Sequence, residues 1–463
     1  MKPFLMEDHS EALKIWADHG IRGSLVIHVD AHPDFSEEGL DEQVLDKAQS
    51  LSPSPILWES LQADLKGAWF GIHCGNYLAV AMKMGMIARC VWVLPKGLFP
   101  DFSFQAVLSQ LSLWVDVPLE DLNRFALKEG RWEGSLWGIP LILCDSEHLP
   151  EISAPYLLDI DVDYFIGEDS RIWTPPSEVL SRLCGNKGPE ILTIAYSVSG
   201  GYTPLEHRFI GDLLLEHVLS PSPPLDRAES LIIKGDGARA EGRLKEARAL
   251  YEEAARTGKF LPAALYKAGL AFTSEEEPEK AREAFEKSEE LDPRFRPDPL
   301  DEALVRYRLK DFDNALHWFE KAETPTTGKV CYLMKALIAE EKREWREALE
   351  LFSKIVVEDP REKTALLLMK ARISEENGAL AFAQDCYEQA CALQPLSPAA
   401  HWGLGRCLSA RFRAPEGIPL LRKALRLAKP TLQSLAIRTS LSRAYRDAGM
   451  TALAQGEERR VLE

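Results

Sequence analysis

The stretch Ser24-Leu25-Val26-Ile27-His28-Val29-Asp30-Ala31-His32-Pro33-Asp34 decides how the chain is read. Its opening residues form a strand-like apolar run, and Asp30, His32 and Asp34 follow at alternate positions. A period of two aims all three side chains the same way at the strand's C-terminal end. A buried strand seldom ends in so many ionisable groups unless they are neutralised. Carboxylates with an imidazole suit Mn²⁺ or a similar divalent cation. The competing reading is a helix N-terminus, where Asp30 or Asp34 caps free amides.

Working outward, further strands are expected at 25–30, 68–73, 90–94, 140–144, 156–161 and 192–198. Apolar runs separated by helix-length segments imply a parallel sheet flanked by helices, an α/β fold with ligand sites beyond the strand ends. Asp30, His73 and Asp159 to Asp161 all fall at such ends. Ser220-Pro221-Ser222-Pro223-Pro224 is the clearest punctuation, and it divides the chain into 1–219, a linker at 220–228, and 229–463.

Downstream, an Ala followed four residues later by an aromatic recurs at Ala247/Tyr251, Ala281/Phe285, Ala315/Phe319, Ala348/Phe352 and Ala383/Tyr387. Gly417/Leu421 and Ala454/Glu458 continue the phase more weakly. Register held over five units resembles the tetratricopeptide repeat, implying an all-α solenoid of six to seven repeats.

Bulk composition narrows the function classes. A chain of 463 residues exceeds one ordinary core. Hydrophobic content of 46% and charged content of 27% are those of a globular protein. A net charge of −17 argues against nucleic acid or an anionic membrane as partner. No stretch approaches the roughly 18 apolar residues of a membrane span. The eight cysteines show no CxxC pair, as expected of reduced thiols in a cytoplasmic protein.

Three more stretches join the first. Asp159-Ile160-Asp161-Val162-Asp163 again ends a strand with alternating carboxylates, Glu7-Asp8-His9-Ser10 precedes a helical stretch, and Gly71-Ile72-His73-Cys74-Gly75 ends another expected strand. This ordered set resembles the ureohydrolase superfamily of arginases, agmatinases and formiminoglutamases. The matching motifs are Asp8-His9-Ser10, Asp30-Ala31-His32-Pro33-Asp34, His73-Cys74-Gly75 and Asp159-Ile160-Asp161, over roughly residues 5–210. The resemblance implies an arginase-like sheet and two Mn²⁺. His9 and Asp34 would hold one ion and His32 and Asp161 the other, with Asp30 and Asp159 bridging. An alternative register makes Asp161 and Asp163 the ligands. His73 would be the proton shuttle, and Asp30 would be indispensable to catalysis as a shared ligand.

The sequence departs from free-arginine enzymes where the family's guanidinium-gripping glutamate is expected: it has Ala195-Tyr196-Ser197. Asp163, Tyr196 and Glu206 are the candidate replacements. A shortened domain of this kind looks like the peptide arginases of ribosomal-peptide biosynthesis. That implies a manganese hydrolase converting arginine side chains of a precursor peptide to ornithine and urea, with the repeats docking the peptide. The other readings are an agmatinase-like hydrolase of small guanidines and a non-catalytic repeat scaffold with a degenerate ureohydrolase domain. A zinc deacetylase is disfavoured because the chain has no tandem His-His. The oligomeric state stays open, a homo-oligomer included.

Overall fold

The strand Ser24–Val29 takes the middle of a sheet because it is apolar on both faces: Val26, Ile27 and Val29 are fully buried. The structure, a computed structural model, describes the chain except for residues 1, 38–39, 41, 50–60, 62–68, 97–102, 104–105, 108–110, 112–116, 153–154, 168, 185–187, 220–225 and 463. The strands are β1 (Lys2–Met6), β2 (Ser24–Val29), β3 (Ile87–Val93), β4 (Ala126–Lys128), β5 (Arg131–Leu136), β6 (Ile139–Cys144), β7 (Tyr156–Asp161) and β8 (Ile191–Ala195). Their spatial order is β1-β8-β7-β2-β3-β6-β5-β4.

The sheet is mixed rather than wholly parallel, which corrects the expectation. Six strands pair in parallel, but β4, β5 and β6 form an antiparallel meander. Two tight turns make it, Glu129-Gly130 and Trp137-Gly138, each with positive φ at both residues. That geometry matches the twist of a hairpin and is why glycine fills the second position. The strand expected at 68–73 is also absent from the sheet. Ala68 lies outside the described residues, 69–73 is irregular, and the Ile72 N–H donates to the Leu61 carbonyl at 2.7 Å. The proline-rich run at 220–224 likewise lies outside them.

Helices Glu11–Asp18 and Tyr77–Lys83 cover one face of the sheet through Leu13, Trp16, Leu78 and Ala81. Helices Pro176–Cys184 and Phe209–Leu219 cover the other, joined there by Leu231, Ile232, Ala264 and Tyr266 from downstream. From Arg227 to Leu462 the described residues form fourteen helices in seven consecutive pairs. The five Ala-aromatic pairs lie in the second helices of the first five pairs, and in the first two the aromatic rests on a glycine of the first helix. A Cβ at Gly235 would fall 2.5 Å from the Tyr251 ring, and one at Gly269 would fall 2.6 Å from Phe285. Among the described residues no helix is long and apolar enough to cross a membrane.

The helical array is locked to the sheet by buried polar groups. Lys267 Nζ donates to both Asp236 oxygens at 2.9 and 3.0 Å and lies 3.3 Å from His207 Nδ1, while the Tyr251 hydroxyl donates to Asp236 at 2.6 Å. Burial, and then the Lys267 charge, push the His207 imidazole down to about 4. His207 therefore stays neutral when folded but binds a proton near pH 6.5 when unfolded. Stability linked to it is complete above that pH and is lost as pH falls toward 4. Urea denaturation should show a loss on the order of 2–3 kcal/mol over that window, beyond the loss in a His207→Gln variant. Equal pH dependence in the two proteins would refute the linkage.

Candidate metal centre

Register builds the site one row at a time. On one face, Val26 stands opposite Leu157 and Leu157 opposite Ile191, an apolar row. Two residues along, His28 stands opposite Asp159 and Asp159 opposite Thr193, a polar row with all three fully buried. Beyond it Asp30 and Asp161 leave the strand ends. Side chains alternate along a strand, so these rows share one face.

His9 arrives from the turn after β1. The Ser10 N–H donates to Asp8 Oδ1 at 2.8 Å and the Asp8 N–H to Glu11 Oε1 at 3.1 Å, which shapes that turn. The Nδ1 of His9 lies 3.0 Å from Asp30 Oδ2, 3.2 Å from Asp161 Oδ2 and 3.3 Å from Asp34 Oδ2. It is buried and aligned for a hydrogen bond with none of them. Its Nε2 lies 3.0 Å from the Tyr77 hydroxyl, which donates to Asp159 Oδ2 at 2.5 Å. In a neutral ring the proton therefore belongs on Nε2, and Nδ1 is the nitrogen that faces the three carboxylates.

A second grouping adjoins the first. His32 Nδ1 lies 2.9 Å from Asp163 Oδ2 and 3.5 Å from Asp30 Oδ1, and both Asp163 oxygens are buried without a hydrogen bond. The sets His9/Asp30/Asp161 and Asp30/His32/Asp163 are each compact enough to hold an ion, and Asp30 belongs to both. Carboxylates and imidazoles suit Mn²⁺ in coordination chemistry.

The charge states follow from carboxylates and imidazoles crowded together in a buried place. Burial opposes a charge on His9, but Asp159, Asp161 and Asp30 outweigh it and hold its pKa well above the usual range. His32 is raised in the same way by Asp163 and Asp30. Burial, then the charge of Asp30, pushes Asp34 up; burial, then Asp161 and Asp30, pushes Asp163 up.

These groups open into a cavity of ≈ 250 Å³ lined by Asp30, His32, Asp34, Asp161, Asp163 and His73, with Ser197 and Tyr202 on its wall. Ser197 donates to Asp161 Oδ2 at 2.6 Å and fixes that carboxylate. The Nδ1 of His73 accepts from the Gly75 N–H at 3.1 Å, so a neutral ring carries its proton on Nε2. Tyr202 stands edge-on to His32 at 5.3 Å between ring centroids. Arg308, from helix Pro299–Arg308, lies 3.6 Å above the Tyr202 ring and donates to the Gly200 carbonyl at 3.2 Å.

Of the residues singled out in the sequence, His9, Asp30, His32, Asp34, Asp161 and Asp163 converge, and His73 lines the same cavity. It does so from an irregular loop, not from the strand end expected of it. Asp159 stands one row back, away from the cavity lining, accepting from Tyr77 and, at 2.5 Å, from Thr193. Asp161 and Asp163 line the cavity, while Asp159 forms with His9 and His28 a further set compact enough to hold an ion, so the arrangement offers both registers. Two expected substrate-binding residues lie outside the cavity lining. Tyr196 donates to Asp212 at 2.5 Å, and Glu206 pairs with Arg239 at 3.2 Å. His28, Tyr77, Thr193, Ser197 and Tyr202 were missed. His28 was readable, since it stands two residues before Asp30 on the same strand face.

The tetratricopeptide repeat family matches residues 234–294 and 368–430, so the C-terminal region carries tetratricopeptide repeats. Among solved structures, the chain is similar to the MamA protein, at 19% identity over 35% of this chain and 88% of that one, TM-score 0.32. It is also similar to the C-terminal part of a TPR repeat-containing protein from Cytophaga hutchinsonii, at 12% identity over 50% and 93%, TM-score 0.34. A third is YrrB, titled a TPR protein with an unusual peptide-binding site, at 16% identity over 39% and 91%, TM-score 0.30. No curated protein matches the sequence.

The two registers make opposite predictions for titration calorimetry with Mn²⁺. Asp163→Ala should remove one of two ions. Asp159→Asn should keep the stoichiometry and weaken affinity roughly 10–100-fold, the usual effect of losing a partner that orients a ligand. Loss of an ion with Asp159→Asn, and none with Asp163→Ala, would restore the other register.

Proposed function

We propose that this chain is a binuclear manganese hydrolase of the ureohydrolase kind, converting arginine side chains within a peptide to ornithine with release of urea. The observation that carries this reading is the unbonded His9 Nδ1 facing three carboxylate oxygens, beside a second ligand set that shares Asp30. His9, Asp30, Asp34 and Asp161 would hold one cation, and Asp30, His32 and Asp163 the other. Two divalent cations in these places would supply hydroxide near neutral pH for attack on a guanidinium carbon.

The chain's own residues account for the remaining steps. The acidic lining attracts a cationic side chain. A cavity of ≈ 250 Å³ admits one extended side chain rather than a bulky ligand. His73, with its proton on Nε2, is the group that would protonate the departing amine, a transfer an imidazole performs well near pH 7. Ser197 keeps Asp161 in one orientation while charge moves in the cavity.

The repeats favour a peptide over a free guanidine. Solenoids of this kind offer extended surfaces for peptides, and docking there would raise the local concentration of arginine at the cavity. Residues 1–219 would then supply chemistry and 229–463 capture.

The test uses Mn²⁺-loaded protein with free arginine, agmatine and an arginine-containing peptide, assayed for urea and peptide mass. Urea from the peptide alone, abolished in Asp30→Ala, is the expected result. Urea only from the free compounds would overturn peptide specificity, and none from any substrate would overturn the hydrolase.

A further inference from the structure

The loop 197–203 has two sides. Ser197 and Tyr202 face the metal-site cavity, whereas Val198, Ser199 and Thr203 line a second cavity of ≈ 260 Å³ against helix Pro299–Arg308. The loop is pinned between them. The Gly200 N–H donates to Asp301 at 2.9 Å, and a Cβ at Gly201 would strike Leu304 Cβ at 2.5 Å.

The charges of this second cavity do not cancel where they stand. Its arginines are each paired with carboxylates, Arg208 with Glu7 at 2.6 Å, Arg294 with Asp212 at 3.0 Å and Asp292 at 2.8 Å, and Arg296 with Glu289 at 2.6 Å, although Arg208 Nε is buried without a hydrogen bond. Glu302 is 9% exposed, and its ion pair with Arg306 spans 3.7 Å, beyond hydrogen-bond reach. Burial, followed by the charge of Glu206, pushes this carboxyl up to about 7. Thr203 is fully buried, and its hydroxyl has no hydrogen-bond partner among the described residues. A sequestered carboxyl and an unsatisfied hydroxyl lining one small cavity call for a ligand bearing N–H donors and positive charge.

We propose that this cavity is a subsite for a second cationic side chain of the bound peptide, a guanidinium or ammonium group held by Glu302 and Thr203. The inference rests on the peptide reading of the neighbouring site and adds to it. With the cavities separated only by loop 197–203, the enzyme would select arginines that have a basic residue nearby. Glu302 and Thr203 would then set register and affinity, not chemistry.

The experiment uses the full-length chain carrying His73→Ala, so that bound peptide persists, and two fluorescent peptides. One has a single arginine; the other adds a lysine scanned through the flanking positions. At one position the lysine should tighten binding by about tenfold or more in fluorescence anisotropy, the scale of a charge-assisted hydrogen bond. Adding Glu302→Gln or Thr203→Val should erase that gain and leave the single-arginine affinity unchanged. No gain at any lysine position, or a gain that survives both variants, would overturn the subsite. Urea release by the protein with native His73 is scored separately. A Glu302-dependent gain without urea would spare the subsite and sink the hydrolase, and urea with a Glu302-independent gain would do the reverse.

Discussion

Four aspartates and two histidines are driven into one buried volume at the end of the sheet, and their mutual electrostatics governs the rest of the molecule. Each ion taken out of water loses several kcal/mol of solvation, in round terms, unless a partner restores it. Burial and neighbouring carboxylates make it costly for Asp34 and Asp163 to stay ionised without added positive charge. The raised pKa values of His9, His32, Asp34 and Asp163 express that need in protons. Divalent cations would meet it with fewer particles and stronger fields.

This cluster is tolerable only because the fold grades into it. Below it lies the apolar row Val26, Leu157 and Ile191, then the hydrogen-bonded row His28, Asp159 and Thr193. Charge is introduced only where the strands end and the cavity begins. The helical array completes the enclosure. Its first helices bury the face of the sheet away from the site, and helix Pro299–Arg308 reaches back to hold the loop carrying Tyr202. A segment that docks on the repeats therefore meets elements already touching the cavity wall.

Part of this was legible because charged residues at alternate positions follow an apolar run. Asp30, His32 and Asp34 do converge, but β2 ends at Val29 and Asp34 has a φ of 53°, so the loop after the strand brings them together rather than strand alternation. The Ala-aromatic phase locates the second helix of five repeat pairs. The hairpins at Glu129-Gly130 and Trp137-Gly138 carried a readable signal, a glycine after a residue able to adopt positive φ, but short exposed strands have weak apolar patterning. Tyr196 and Glu206 could not be placed from sequence. Their partners, Asp212 with Arg294 and Arg239, lie up to 98 residues away, and long-range ion pairing leaves no local pattern. The 68–73 run misled because Trp69, Phe70 and Ile72 are apolar for another reason. Trp69, for one, packs beside the repeats, its N–H donating to Glu362 at 2.8 Å.

Asp159 occupies the row behind the cavity, two residues before Asp161. Register with β2 and β8 forces Asp159 to face His28 and Thr193, two residues short of the opening. There it accepts from Tyr77 and Thr193 and keeps its own pKa low despite burial, because His9 and His28 lie alongside. Its negative charge, passed through the Tyr77 hydroxyl to His9 Nε2, makes the opposite nitrogen a stronger electron donor. A neutral residue at 159 would weaken the acceptor that holds the Tyr77 hydroxyl and, through it, the orientation of His9 Nε2. The motif Asp-x-Asp-x-Asp puts one acid behind the cavity and two on its lining: strand alternation relates Asp159 to Asp161, and the short 3-10 helix Val162–Phe165, capped by Asp161, brings in Asp163.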